Sequence, residues 1–290
     1  SGIHDFTKLL NQASPESPEV DVGNEDLLAL MYTGGTTGIS KGVMHTHKSF
    51  ISVVYSEIVE WGIDFDDVAL VMAPLPHATG FMVPPSLLRG GKVIITKGFE
   101  PPEMCQLIQE EKVTWTFLVP TMIYVLLDYK DRKKYDLSSL KTILYGAAPM
   151  SPERLKQAIS EFGPVFLQVY SQMEVANQTT VLSKRDHVEA LEKYPQRLKS
   201  CGRPIIMSQV RIVDDNDQDV PVGEVGEIIT RGPHMMKGYW RREEETRETM
   251  KGGWIHTADM AYQDQDGFIY VVDRKKDMII SGGMNVYSAE

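Results

Sequence analysis

Residues Tyr32 to Gly42 read YTGGTTGISKG and set Gly34, Gly35, Gly38 and Gly42 around Thr33, Thr36, Thr37, Ser40 and Lys41. Glycines let a backbone take positive φ and approach a ligand closely. Backbone N–H groups and threonine hydroxyls can then converge on a phosphate chain, and Lys41 adds a positive charge. A polar tract of this composition also makes ordinary turns. The ordered threonines, the lysine and the apolar run Leu27-Leu28-Ala29-Leu30-Met31 in front of them favour phosphate binding.

The phosphate loop of nucleoside triphosphatases requires Gly-Lys followed by Ser or Thr. Here Ser40 precedes Lys41 and Gly42 follows it, so a magnesium ligand must come from elsewhere. Further candidates lie at the ends of strand-like runs. Tyr145-Gly146-Ala147-Ala148-Pro149-Met150 follows one and precedes a capped helix. Ligands of open α/β sheets sit at the carboxyl ends of strands. Small residues there leave space for a flat ring or an acyl chain, although a tight strand–helix turn is the simpler reading of this segment alone. Gln168-Val169-Tyr170-Ser171-Gln172-Met173-Glu174 also sits at a strand end. Gly253-Trp254-Ile255-His256-Thr257-Ala258-Asp259 and the run Asp273–Gly283 follow, with Pro74-Leu75-Pro76-His77 and Gly226-Glu227-Ile228 leading to Gly232-Pro233 and Gly238-Tyr239-Trp240 in support.

In this order the motifs resemble those of the acyl-adenylate-forming superfamily, closest to its fatty-acid and acyl-CoA ligases. That group also contains aryl-CoA ligases, luciferases and peptide-synthetase adenylation domains. The family form of the first motif is YTSGTTG with a spacer and KG, with Gly34 here in place of the serine. The resemblance implies that Lys41 and the glycine loop hold phosphates, Tyr170 stacks on adenine and Glu174 ligates magnesium, a hard ion that prefers carboxylate oxygen. It implies that Asp259 accepts hydrogen bonds from the ribose hydroxyls, which one carboxylate can do twice. Arg274 would help hold ribose or phosphate, Lys276 matches the hinge to a mobile lid, and His77 resembles the histidine beside the acyl pocket. Gly146, Ala147, Ala148, Pro149 and Gln168 complete the nucleotide contacts. Departures are Val169 and Ser171 for glycines, Ala258 for the glycine of GWxxTGD, and Met173 for a phosphate-contacting threonine. No phosphate role is carried to Met173.

The implied reaction uses ATP and Mg2+ to convert a carboxylic acid, expected to be a fatty acid, to acyl-AMP and pyrophosphate. Coenzyme A then takes the acyl group. The acid is already ionised near neutral pH, so the first step needs electrostatic relief rather than a general base. Alternatives are an aryl-CoA ligase, a peptide-synthetase adenylation domain and a nucleotide-binding module without catalysis, the last suggested by Met173. Proteins of this family extend further on both sides and their lid supplies a catalytic lysine. The chain is therefore expected to be a fragment that binds ATP or AMP and adenylates slowly. Uncovered apolar surface and a homodimer are expected with it.

Decoys are set aside. His45-x-His47 lacks a third metal ligand of matching spacing. Asp215, Asp217 and Asp219 imitate a calcium loop, but Val220 and Gly226 occupy its required glycine and glutamate positions, so a hairpin turn is expected.

The elements that must position these groups follow from periodicity. Val68–Met72, Val93–Thr96, Thr114–Val119, Thr142–Tyr145 and Val165–Tyr170 read as buried strands. Met104, Leu107 and Ile108 mark one intervening helix. Ser151 caps another, with Pro152 in its first turn and Leu155, Ala158, Ile159 and Phe162 on one face. The fold expected is α/β, a largely parallel sheet covered by helices, followed by a smaller β-rich, barrel-like subdomain. The division expected is residues 1–198, then 199–275 with strands at Gln209–Val213, Glu227–Thr230 and Phe268–Val272, then hinge and lid start at 276–290. The 290 residues carry 42% hydrophobic and 24% charged residues, a globular composition, and a net charge of −10 that disfavours nucleic acid as partner. Cys105 and Cys201 stand alone, which fits a reducing, cytoplasmic setting. No apolar run suggests a transmembrane segment.

Overall fold

Apolar runs between residues 68 and 170 form strands whose side chains alternate between the two faces of one sheet. The computed structural model describes residues 5–33, 40–76, 79–275, 279–281 and 284–286. Among them, a seven-stranded sheet runs in the order Lys92–Ile95, Val68–Val71, Trp115–Leu118, Thr142–Gly146, Phe166–Tyr170, Thr180–Leu182, Arg203–Pro204. The first five strands are parallel and the last two antiparallel. The expected strands are present, with ends shifted by a residue or two.

Leu70, Leu118, Ile143, Tyr145 and Phe166 point to one face, where helices Pro101–Glu111, Pro120–Asp128 and Pro152–Phe162 bury Met104, Ile108, Ile123, Leu126, Leu155 and Ile159. Ala69, Trp115, Phe117, Leu144 and Leu167 point to the other, against Trp61 and Met82. Full burial of each large apolar side chain contributes roughly 1.5–3 kcal/mol. The helix at Pro152 starts as its sequence predicts: the Ser151 hydroxyl accepts a bond from Arg154 N at 3.3 Å. Helices His47–Trp61 and Thr79–Leu88 are additions to the sequence reading. The second contains Pro84 and Pro85, which obscure a helical pattern.

A smaller antiparallel sheet combines Gln209–Val213, Gly226–Arg231, Trp254–Gln263, Met250–Lys251 and Ile269–Arg274. The acidic run between its first two strands is a turn. Asp214 N bonds to the Gln218 carbonyl, and Asp215, Asp217 and Asp219 pair with Lys275, Lys251 and Arg211. The N-terminal strand Leu27–Thr33 stands apart from the large sheet. It pairs antiparallel with Lys41–Thr46, which pairs in turn with Gly238–Tyr239. The two strands that flank the glycine tract thus pair as far as Thr33 and Lys41.

Two features carry consequences for stability. Glu57 is 0% exposed on the helix His47–Trp61, and neither of its carboxylate oxygens has a hydrogen-bond partner among the described residues. Burial holds its pKa well above the usual carboxylate range. The folded chain therefore keeps a proton that the unfolded chain releases near pH 4.3. Its contribution is fully present below that unfolded pKa and is lost as pH rises toward and through the folded one. Glu57→Gln should remove this slope. Thermal unfolding followed between about pH 5 and pH 8 should fall with pH in the parent and stay flatter in the variant; equal slopes would show that Glu57 does not titrate with folding.

Ala258 lies at a register irregularity of its strand and adopts φ +56°. The left-handed region costs an L-residue about 1–2 kcal/mol. Glycine avoids that cost but loses about 0.5–1 kcal/mol more in chain entropy. Ala258→Gly is therefore expected to stabilise the fold by up to about 1 kcal/mol, and Ala258→Val to destabilise it, as read from denaturant midpoints.

Candidate functional site

Asp259 projects from the long strand Trp254–Gln263 and is 6% exposed. Its Oδ2 accepts the Tyr170 hydroxyl at 2.7 Å and the Gln172 amide at 2.8 Å. The same Gln172 amide donates to the Thr257 carbonyl at 2.7 Å, and Asp259 N donates to Thr257 Oγ1 at 3.1 Å. Arg274, the register partner of Asp259 on the next strand, places Nε 3.5 Å from Oδ1. Burial, and then the neighbouring Asp259 charge, push the Tyr170 phenol well above its usual pKa. Tyr170, Asp259 and Arg274, far apart in sequence, thus meet at one carboxylate at the carboxyl end of the parallel sheet.

The neighbouring strand Thr142–Gly146 brings the small residues alongside. Tyr145 pairs with Gln168 and Gly146 with Val169 across the two strands. Tyr145 is fully buried, and its hydroxyl lies 3.3 Å from Gln168 Oε1 and 2.8 Å from His187 Nε2. Gly146 allows a close approach, since a Cβ there would lie 2.4 Å from the Val169 carbonyl oxygen. Ala147, Ala148 and Pro149 follow as an exposed turn, with Ala147 at φ +65°.

On the hairpin side, Lys41 Nζ sits 4.9 Å above the ring of Tyr239. The Tyr239 hydroxyl donates to Glu174 Oε1 at 2.7 Å, and the Glu174 carbonyl accepts Met236 N at 2.8 Å. Lys41 and Glu174 are therefore bridged by one aromatic ring. Glu174 is a half-buried carboxylate held by a neutral phenol, a donor set that suits a hard cation. Met173 turns its side chain into apolar clusters with Val43, Met236 and Phe81, so a hydrophobic residue is satisfied where a hydroxyl was expected from the resemblance. His45 is fully buried and its Nε2 donates to the Met173 carbonyl at 2.7 Å; burial lowers its pKa to about 4. It braces this turn, and no group of three metal-ligating side chains exists among the described residues. Gly34, Gly35, Thr36, Thr37, Gly38, His77 and Lys276 lie outside the described residues, while Thr33 and Lys41 define the hairpin stem.

The sequence reading passed over three groups. Gln172 carries the second bond to Asp259, but a glutamine after a strand has no distinctive signal. Tyr239 was visible only as part of Gly238-Tyr239-Trp240. Glu227, 7% exposed, accepts Ala258 N at 3.0 Å and Lys275 Nζ at 3.1 Å, bracing the turn that presents Asp259. Its strand context was legible, but its long-range partners were not.

Comparison with known proteins fits this geometry. The chain is 43% identical over 291 residues to the medium/long-chain-fatty-acid–CoA ligase FadD8 of Mycobacterium tuberculosis, covering 99% of this chain and 50% of that protein. It is 42% identical to a feruloyl-CoA synthase of Amycolatopsis, covering 97% of this chain and 56% of that one. The structure of O-succinylbenzoate coenzyme A synthetase from Bacillus subtilis in complex with AMP superposes with a TM-score of 0.87 at 32% identity, covering 99% of this chain and 57% of that one. The chain thus spans about half the length of the curated relatives it matches. The profile of the AMP-binding enzyme family matches residues 3–240, and with the motifs meeting at Asp259 and Glu174, the chain belongs to that family.

Proposed function

We propose that this chain is the nucleotide-binding core of an acid–thiol ligase. The activity joins a carboxylic acid to AMP with release of pyrophosphate and then moves the acyl group to coenzyme A. The observation that carries this reading is the meeting of Tyr170, Gln172, Asp259 and Arg274 next to the Lys41–Tyr239–Glu174 chain. One cluster suits a ribose and its base, the other a phosphate chain. Asp259 Oδ2 is occupied by two donors, which leaves Oδ1, beside Arg274, for the sugar hydroxyls. Lys41 and the loop residues Gly34, Gly35, Thr36, Thr37 and Gly38 offer positive charge and donors to phosphates. Glu174 is the residue that would hold Mg2+, which supplies charge neutralisation on the phosphates when bound. Gly146, Ala147, Ala148 and Pro149 form the edge against which a flat ring or acyl chain lies, and the motif resemblance alone assigns His77 to the acyl pocket.

The acid is read as fatty or otherwise medium-to-long, following the FadD8 similarity. An aromatic acid is the second reading, favoured by the similar identity to a feruloyl-CoA synthase. Residues 1–198, 199–275 and 276–290 are proposed as α/β part, β-rich subdomain and hinge. Arg203–Pro204 and Gly238–Tyr239 tie the second part back to the first. A cytoplasmic setting agrees with two buried free cysteines. No helix among the described residues is long and apolar enough to cross a membrane. Exposed Ile51, Tyr55 and Val59 on one helix and Leu87 and Leu88 on another support self-association.

The reading is tested by magnesium-dependent ATP–pyrophosphate exchange with the full-length protein and a panel of straight-chain and aromatic acids. Exchange driven by fatty acids is expected. Nucleotide binding without exchange for any acid would instead identify a non-catalytic module. A second test separates sugar from phosphate recognition. Asp259→Ala should weaken ATP binding by about 1.5–3 kcal/mol for each hydrogen bond lost, with little effect on free pyrophosphate. Equal losses for both ligands would trace the defect to folding.

A further inference from the structure

We infer that Tyr239 is a positioning residue that couples the phosphate-binding lysine to the metal-binding carboxylate. This rests on the proposed roles of Lys41 and Glu174 and assigns to Tyr239 what the motif resemblance leaves without a role.

Tyr239 is 6% exposed and fixed from several directions. Its backbone pairs with Val43, two residues beyond Lys41 in the hairpin strand. Its N–H donates to Thr246 Oγ1 at 2.9 Å, and Trp240 N donates to the Gly42 carbonyl at 2.8 Å. Gly238 has φ +142°, and a Cβ there would lie 2.8 Å from Thr246 Cγ2, so the strand carrying Tyr239 packs closely on the helix Glu243–Thr249. The ring is therefore a rigid platform rather than a surface side chain.

Its two ends address different groups. The ring face lies under the Lys41 ammonium at 4.9 Å, a cation–π contact that limits where the lysine can swing. The hydroxyl donates to Glu174 Oε1 at 2.7 Å, a bond that fixes the orientation of the carboxylate. Met236, three residues earlier on the same segment, holds the Glu174 carbonyl. Segment 236–239 thus grips Glu174 at both main chain and side chain, while its ring seats the lysine from the hairpin. A hydrogen bond that orients a metal ligand typically changes metal affinity 10–100-fold when removed.

Two substitutions separate the two ends. Tyr239→Phe keeps the ring and removes the hydroxyl; Tyr239→Leu removes both. ATP binding to the 290-residue chain is measured calorimetrically, without metal and across a Mg2+ titration, with Glu174→Gln as reference. Tyr239→Phe is expected to raise the Mg2+ concentration needed for tight ATP binding about tenfold and to leave metal-free ATP binding unchanged. Tyr239→Leu should in addition weaken metal-free binding about two- to fivefold, through loss of the lysine seat. A purely structural tyrosine would weaken both kinds of binding together in the Phe variant, or neither, and either result overturns the proposal. If Glu174→Gln loses the Mg2+ dependence while Tyr239→Phe keeps the parent curve, the metal role of Glu174 stands and the role of Tyr239 falls. If the parent chain shows no Mg2+-dependent ATP binding, both fall. Should the Leu variant not fold, the Phe variant decides alone.

Discussion

A buried carboxylate must have its oxygens met by donors, and Asp259 meets that constraint with groups from separate parts of the chain. Its oxygens are reached by Tyr170 and Gln172 from the end of a parallel strand and by Arg274 from an antiparallel one. Leaving a buried acceptor without its donor typically costs about 1–3 kcal/mol. The end of the large sheet and the edge of the small one are therefore held in a fixed relation. The Asp259 carboxylate inherits that rigidity, which suits the sugar-binding role proposed for it.

The same constraint explains the local distortion beside Asp259. To turn its carboxylate toward Tyr170 the strand breaks register, and Ala258 takes a left-handed conformation. Glu227 and Lys275 hold that turn through its N–H and carbonyl: Glu227 accepts Ala258 N, and Lys275 N donates to the Ala258 carbonyl. A strained residue persists where its surroundings over-determine it. Here the surrounding bonds lead directly to the residue read as the ribose acceptor.

On the other side of the site, Lys41, proposed to meet the phosphates, opens a strand paired with Leu27–Thr33 rather than a helix. The helix His47–Trp61 begins only after the strand Lys41–Thr46 has run its course. The proposed phosphate contact of Lys41 therefore has no adjacent helix N-terminus to draw on and rests on the lysine's own charge. That dependence gives weight to the contact between Lys41 and Tyr239, since the lysine is the fixed charge of the hairpin stem.

What the sequence determined by itself was local or periodic. Buried strands between residues 68 and 170 were legible because apolar β-formers in short runs admit few other conformations, and the helix at Pro152 because Ser151 and Pro152 announce it. Tyr170, Glu174, Asp259 and Arg274 were legible as members of ordered motifs. The helix Thr79–Leu88 was not, since Pro84 and Pro85 contradict its local propensity and only packing on the sheet overrides it. Nor was the role of Gln172, Tyr239 or Glu227, whose partners lie far along the chain. Hydrogen bonds between distant segments have no period and no spacing to read. Tertiary structure alone decides them, because it sets which strand ends come within about 3 Å of one another.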